Sequence, residues 1–230
     1  MDLNQALTER IRRESHAIVG FADLRRLSAE SRQNFDRGIL IGLTYSAEAM
    51  RENLAGRPRR YFEEYSSINR RLPGLAQDTA RFLVERGCKA LPKVASAVAQ
   101  DADRRTVLPH KTVATLAGVG WIGKCALLVT PEAGSALRLV VVLTDAPLVC
   151  GTPVTRSRCP AGCTVCADAC PGHAPLGGQW APEVDRSVFF DAEACRNAAR
   201  ARAGSLLDID ETVCGLCAAS CPVTRGVLGY

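Results

Sequence analysis

The residues of this chain best suited to do chemistry are its cysteines. It has 230 residues and eleven cysteines, eight of them between Cys159 and Cys221. They read C-P-A-G-C-T-V-C-A-D-A-C-P at 159–171, then a lone Cys195, then C-G-L-C-A-A-S-C-P at 214–222. Two groups of short steps, each closed by Cys-Pro, form the spacing of a site for two [4Fe–4S] clusters. A cubane takes four thiolates around a small box. A tight loop supplies three of them, and the fourth must come from elsewhere, because the next step has already entered a helix that points away.

In bacterial two-cluster ferredoxins the cysteine before the proline serves the other cluster. Carried onto this chain, the first cluster takes Cys159, Cys163, Cys166 and Cys221, and the second takes Cys170, Cys195, Cys214 and Cys217. Pro171 and Pro222 then turn the chain away after each crossing ligand. Disulfides and structural zinc are the competing readings, zinc favouring two cysteine pairs around one tetrahedral ion. Four cysteines within one loop, with a trailing Cys-Pro that is then repeated, suit neither well. The first gap departs from the ferredoxin pattern: three residues, not two, separate Cys159 from Cys163, and Gly162 can absorb the extra one.

The rest of the chain must position these loops. Hydrophobic residues make up 47% of it, which excludes a disordered chain, and no apolar run reaches the length of a membrane span. The N-terminus is charged and lacks the apolar stretch of a secretory signal, so eleven cysteines point to metal or catalysis in a reducing cytoplasm. The net charge of +5 is uneven: residues 1–111 hold 20 Lys and Arg against 14 Asp and Glu, while residues 151–230 hold 7 against 8. Arg57, Arg59, Arg60, Arg70 and Arg71 interleave with Tyr61, Phe62 and Tyr65, which reads as a solvated helix face or an anion-facing patch.

Periodicity predicts helices over 3–15, 46–54, 61–72, 75–86 and 112–117, and strands over 16–23, 38–45, 90–94, 126–130 and 137–144. Pro73-Gly74 is read as a break between two helices, and Gly87 and Gly118 as helix stops. The alternation predicts an α/β (α+β) domain with a mixed sheet over 1–148, followed through a Pro/Gly/Thr linker by a cluster domain over 149–230.

Residues 118–124, G-V-G-W-I-G-K, satisfy G-x-G-x-x-G, but a dinucleotide loop needs a strand before it and a helix after it, and here the order is reversed. The stretch AGVGWIGKCALLVTPEAGSALRLVVVLTDAPL at 117–148 resembles the corresponding block of the epoxyqueuosine reductase family, and the resemblance continues through GCTVCADACP and CGLCAASCP. YFEEYSSINRRL at 61–72 is similar to a family helix.

That resemblance carries several expectations. The family belongs with the reductive dehalogenases. It has a nitroreductase-like core that binds base-off cobalamin and a C-terminal two-cluster ferredoxin-like domain that reduces the cobalt. By analogy Gly120, Trp121, Gly123 and Lys124 lie near the corrinoid. The implied activity is that of an iron–sulfur oxidoreductase acting on a small molecule or modified nucleoside, with tRNA as a further candidate, and fed by a ferredoxin- or flavodoxin-type donor. The competing class is a ferredoxin-type electron carrier with no catalytic cofactor of its own. The family's general-acid Asp sits in a V-D-[ST]-[GA]-P motif, where this chain reads D-A-D-R-R-T-V-L-P-H-K at 101–111. Asp103 and His110 are the candidate proton donors, with a loop salt bridge or a cap as the bland alternative. Of the remaining cysteines, Cys88 reads as core, Cys125 as a possible pocket residue, and Cys150 as a spare ligand if Cys159 is not used. The helical-repeat extension that helps the full-length enzyme hold tRNA is absent after Tyr230.

Overall fold

The computed structural model describes residues 2–93 and 105–230. The chain divides into two compact units that interleave along the sequence. The first comprises residues 1–44, 67–119 and 138–154; the second comprises 45–66, 120–137 and 155–230. Among the described residues, no helix is long and apolar enough to cross a membrane.

The first unit is built on a four-stranded sheet. β1 (Ala17–Asp23), β2 (Arg37–Thr44), β3 (Ala90–Lys93) and β6 (Leu137–Thr144) lie in the order β1-β2-β6-β3. β1 pairs antiparallel with β2, Gly20 facing Leu40, and β3 pairs antiparallel with β6. Burial follows the sequence pattern. β1 alternates and buries one face, whereas the apolar run of β2 is buried on both. Pro92 sits in the edge strand β3, where a missing N–H is tolerated. α1 (Leu3–Ile11) packs on β1, and α4 (His110–Leu116) packs on β1 and β2. Gly20 admits this packing, since a Cβ there would collide with the Val119 side chain just after α4.

α3 (Arg59–Val84) is one helix of 26 residues, not two. Pro73 lies inside it, and the predicted break at Pro73-Gly74 does not occur. The buried stripe Ile68, Leu72, Ala76, Thr79, Ala80, Leu83 runs straight through the proline, while Gly74 faces open space. Burial along that stripe outweighs the one backbone bond that proline forfeits.

The second unit holds a short hairpin and small helices. β4 (Trp121–Ile122) pairs antiparallel with β5 (Leu128–Val129). The glycine loop therefore contains a strand of its own, and the strand predicted over 126–130 shrinks to two residues. Ala126 turns the chain in a left-handed conformation, φ 57°. α2 (Ala47–Leu54) packs on α7 (Leu216–Ser220), and α7 in turn touches α5 (Val165–Asp168) and α8 (Pro222–Leu228). α6 (Ala192–Leu207) starts at Asp191, whose carboxylate accepts the N–H groups of Glu193 and Ala194.

Candidate functional site

All eight cysteines of the double motif lie in the second unit. Cys166 is on α5, Cys195 on α6 and Cys217 on α7. Cys221 is the residue before α8, and Pro222 opens that helix at its first turn, a position where no N–H is needed. Burial raises the Cys221 thiol above its usual range, while the N–H groups of Thr224 and Val223 and the Thr224 hydroxyl act the other way. Burial likewise pushes up Cys214, opposed by the Leu216 N–H. The Ala174 N–H donates to the Cys170 sulfur at 3.4 Å. Cys221 stands within electrostatic reach of Cys159, and Cys214 within that of Cys170. Among the described residues, no group of three or more His, Cys, Asp or Glu converges on a single metal ion. The four thiolates of a cubane bind four different irons, so they stand further apart than ligands that share one ion.

Side chains far away in sequence hold the cysteine loops. The Lys124 ammonium is buried, 4% exposed, and donates to the carbonyls of Ala161 at 2.7 Å and Cys163 at 2.9 Å. The Gln179 amide donates to the Cys159 carbonyl at 2.9 Å. On the other loop, fully buried Asn53 donates to the Cys214 carbonyl at 2.9 Å. Arg202 reaches the same carbonyl and also that of Asn53. Tyr61, stacked on Tyr45 at 4.8 Å between ring centroids, lies against Gly215, where φ is +72° and no Cβ would fit. Spacing within the cysteine motif could not reveal any of these partners. The one available signal was a lysine embedded in an apolar glycine loop.

The glycine-loop candidates have internal neighbours. A Cβ on Gly120 would overlap the Val129 carbonyl. One on Gly123 would stand 3.0 Å from the Val129 side chain, 3.5 Å from the Cys159 sulfur and 3.8 Å from the Cys125 sulfur. Trp121 is 6% exposed, with the Arg158 guanidinium 5.6 Å from its ring centroid, and its indole N–H has no acceptor among the described residues. Trp180 is buried.

His110, one proton-donor candidate, belongs to the first unit and the motif cysteines to the second. Asp103 lies outside the described residues. His110 opens α4 in the first unit, with Nδ1 3.1 Å from the Leu139 carbonyl oxygen. Burial holds its imidazole below the ordinary value of 6.5. Cys150 also belongs to the first unit, its thiol on the Leu148 carbonyl. Cys125, left over by the motif, is buried and contacts both Cys166 and Cys217. Its contact with Cys166 favours the thiolate, but contact with Cys217 and complete burial outweigh this and raise the thiol well above its usual range.

No family model matches the chain. It is 46% identical over 69 residues to the epoxyqueuosine reductase of Synechococcus sp. (strain CC9605), a match covering 30% of this chain and 21% of that one. It is 33% identical over 151 residues to the epoxyqueuosine reductase of Listeria monocytogenes, covering 63% of this chain and 35% of that protein. The matches thus span about a fifth to a third of those relatives' lengths. In fold, it superimposes on epoxyqueuosine reductase bound to an epoxyqueuosine-modified tRNA-Tyr stem loop with a TM-score of 0.62 and 17% identity, over 97% of this chain and 66% of that one. A reductive dehalogenase, whose structure suggests a mechanism for B12-dependent dehalogenation, matches with a TM-score of 0.66 and 17% identity, over 95% of this chain and 31% of that one. The chain is thus similar in sequence to epoxyqueuosine reductases over part of its length, and it shares its fold with them and with a reductive dehalogenase.

Proposed function

We propose that this chain is an iron–sulfur oxidoreductase that moves electrons, one at a time, through two [4Fe–4S] clusters toward an acceptor, as a reductive enzyme of this family would. The observation that carries the reading is the eightfold cysteine spacing, with Cys159 within electrostatic reach of Cys221 and Cys170 within that of Cys214. Each of these pairs falls within one of the two ligand sets. Cys159, Cys163, Cys166 and Cys221 would hold one cluster, and Cys170, Cys195, Cys214 and Cys217 the other. The clusters would supply reversible one-electron transfer. The chain's own part is to fix the loops through Lys124, Gln179, Asn53 and Arg202, and to direct N–H groups at Cys170, Cys214 and Cys221.

A corrinoid is the acceptor that kinship with a B12-dependent dehalogenase favours, with a small molecule or modified nucleoside as substrate. Of the four glycine-loop candidates, Trp121 keeps a free donor for a bound group, its unpartnered indole N–H. Asp103 and His110 stay as candidate acids. The reading includes an external ferredoxin- or flavodoxin-type donor. A second reading, an electron carrier without its own catalytic cofactor, draws support from Lys124, whose ammonium is committed to the Ala161 and Cys163 carbonyls.

The deciding experiment is anaerobic reconstitution with iron and sulfide, followed by addition of cob(II)alamin. About eight irons per chain and a base-off EPR signal are expected. Eight irons without a corrinoid signal select the carrier reading, and stoichiometric zinc or fewer than four irons sinks both. Cys214→Ser should damage the cluster held by Cys170, Cys195, Cys214 and Cys217 more than the other.

A further inference from the structure

In the second ligand set, three sulfurs come from the two cysteine loops and one does not. Cys170 closes the first loop, Cys214 and Cys217 belong to the second, and Cys195 comes from α6, outside both. Little apolar area holds α6 in place: of its 16 residues only Ala199 and Ala203 are buried. Its position is fixed by polar contacts and close packing at two points. Near its start, backbone bonds run in relay. The Cys195 N–H donates to the Asp191 carbonyl at 3.2 Å, the Asp191 N–H to the Ala174 carbonyl at 2.8 Å, and the Ala174 N–H to the Cys170 sulfur at 3.4 Å. Gly172, in the same segment, lies so close to the helix that a Cβ would stand 2.6 Å from the Ala194 carbonyl oxygen and 2.7 Å from the Ala198 side chain. Further along, Arg202 donates to the Cys214 carbonyl at 3.4 Å and to the Asn53 carbonyl at 3.1 Å. Cys195 and Arg202 are two helical turns apart, so they share one face of α6.

We propose that α6 is a registering strut: Gly172 and Arg202 place Cys195 against Cys170, Cys214 and Cys217, and so govern whether the second cluster keeps its fourth iron. This rests on the iron–sulfur reading above. α5 and α7 touch each other directly, so the segments carrying Cys170, Cys214 and Cys217 stay together when α6 shifts. A shift of α6 moves Cys195 alone, and the iron at that corner is the one released. The release is an oxidation. A four-iron cluster gives up one ferrous ion and one electron and leaves a three-iron cluster in its ferric state, with added ferricyanide taking the electron. Gly172 and Arg202 are positioning residues that act through Cys195 and bind no iron themselves.

The test compares anaerobically reconstituted wild-type protein with Arg202→Met, Arg202→Lys, Gly172→Ala and Cys195→Ala. Each is titrated with ferricyanide in the presence of a chelator, and iron per chain is followed together with the EPR signal of an oxidised three-iron cluster. Cys195→Ala supplies the reference, a three-iron signal with one iron lost. Arg202→Met keeps the length of the side chain but donates no hydrogen bond. It should give the same signal and hold the fourth iron about tenfold less tightly than wild type. Arg202→Lys keeps a charged donor and should fall between the two. Gly172→Ala presses a Cβ onto Ala194 and Ala198 and should give the same signal from the other end of the helix. An Arg202→Met protein that retains its iron as wild type does would overturn the proposal. So would one that loses the whole cluster with no three-iron stage, because Arg202 would then support the unit and not the Cys195 corner. If Arg202→Met does not fold, Gly172→Ala and Arg202→Lys decide, wild-type retention in both counting against the proposal. Full iron in Cys195→Ala would remove this proposal and leave the iron–sulfur reading standing, whereas wild-type protein that takes up no iron and sulfide would remove both.

Discussion

At the scale of single residues, the glycine loop braces the first cysteine loop through Lys124. Lys124 joins Ala161 and Cys163 through two charge-assisted bonds in a buried setting. Lys124→Met leaves both carbonyls without a donor and should cost about 2–3 kcal/mol in urea unfolding, together with lower iron retention in the Cys159–Cys166 loop. A variant as stable as wild type would show that the loop finds other donors. His110 offers a separate reading through pH. Burial, the larger influence, lowers its affinity for protons, while its bond to the Leu139 carbonyl acts in the opposite direction. The unfolded chain therefore binds the proton more readily than the folded one once pH drops below about 6.5. Stability should be unaffected by this group above that pH and decline below it, and His110→Asn should flatten part of that decline in urea titrations at stepped pH. The cysteine spacing made the ligand candidates legible in the sequence, because ligand loops are local. Lys124, Asn53 and Arg202 were not legible in the same way, because a carbonyl contact across 37, 161 or 12 residues leaves no periodic trace.

At the scale of elements, periodicity worked where one face is buried. β1, β2 and β6 were legible within a residue or two, since alternation and continuous apolar runs are direct consequences of one-sided and two-sided burial. α3 was misread because Pro73-Gly74 is a strong local stop, whereas the stripe from Ile68 to Leu83 is a tertiary signal. Pro73→Ala restores a backbone donor in the middle of that helix. It should raise stability by roughly 2–2.5 kcal/mol, a helical gain of about 3 less the lost stiffness of the unfolded chain. A thermal or urea shift in the opposite direction would mean that the proline ring itself packs usefully. β4 escaped prediction because two residues within a glycine-rich loop are too few to show a period.

At the scale of the whole molecule, the chain passes between its two units five times, at 44/45, 66/67, 119/120, 137/138 and 154/155. A linear fragment of residues 149–230 keeps all eight motif cysteines but loses Asn53, Tyr61, Lys124 and Cys125, which hold or border their loops. Such a fragment should fail to keep a stable iron–sulfur complement under conditions where the full chain succeeds, as judged by iron content and near-UV circular dichroism. A fragment that loads and holds its clusters as well as the full chain would show that the braces are dispensable.

The contact at Gly134 has a consequence for the order of assembly. A Cβ there would overlap the Thr224 backbone and hydroxyl, and that hydroxyl accepts the Ser135 N–H at 2.9 Å. During synthesis the turn at 134–135 is complete some 90 residues before its partner exists. The cysteine unit must therefore wait, with Cys125 and the first motif already made, until the segment around Cys221 arrives. On the iron–sulfur reading, iron delivered earlier would meet a half-finished set of sulfurs, so cluster loading would be a late event, timed by the arrival of the segment around Cys221.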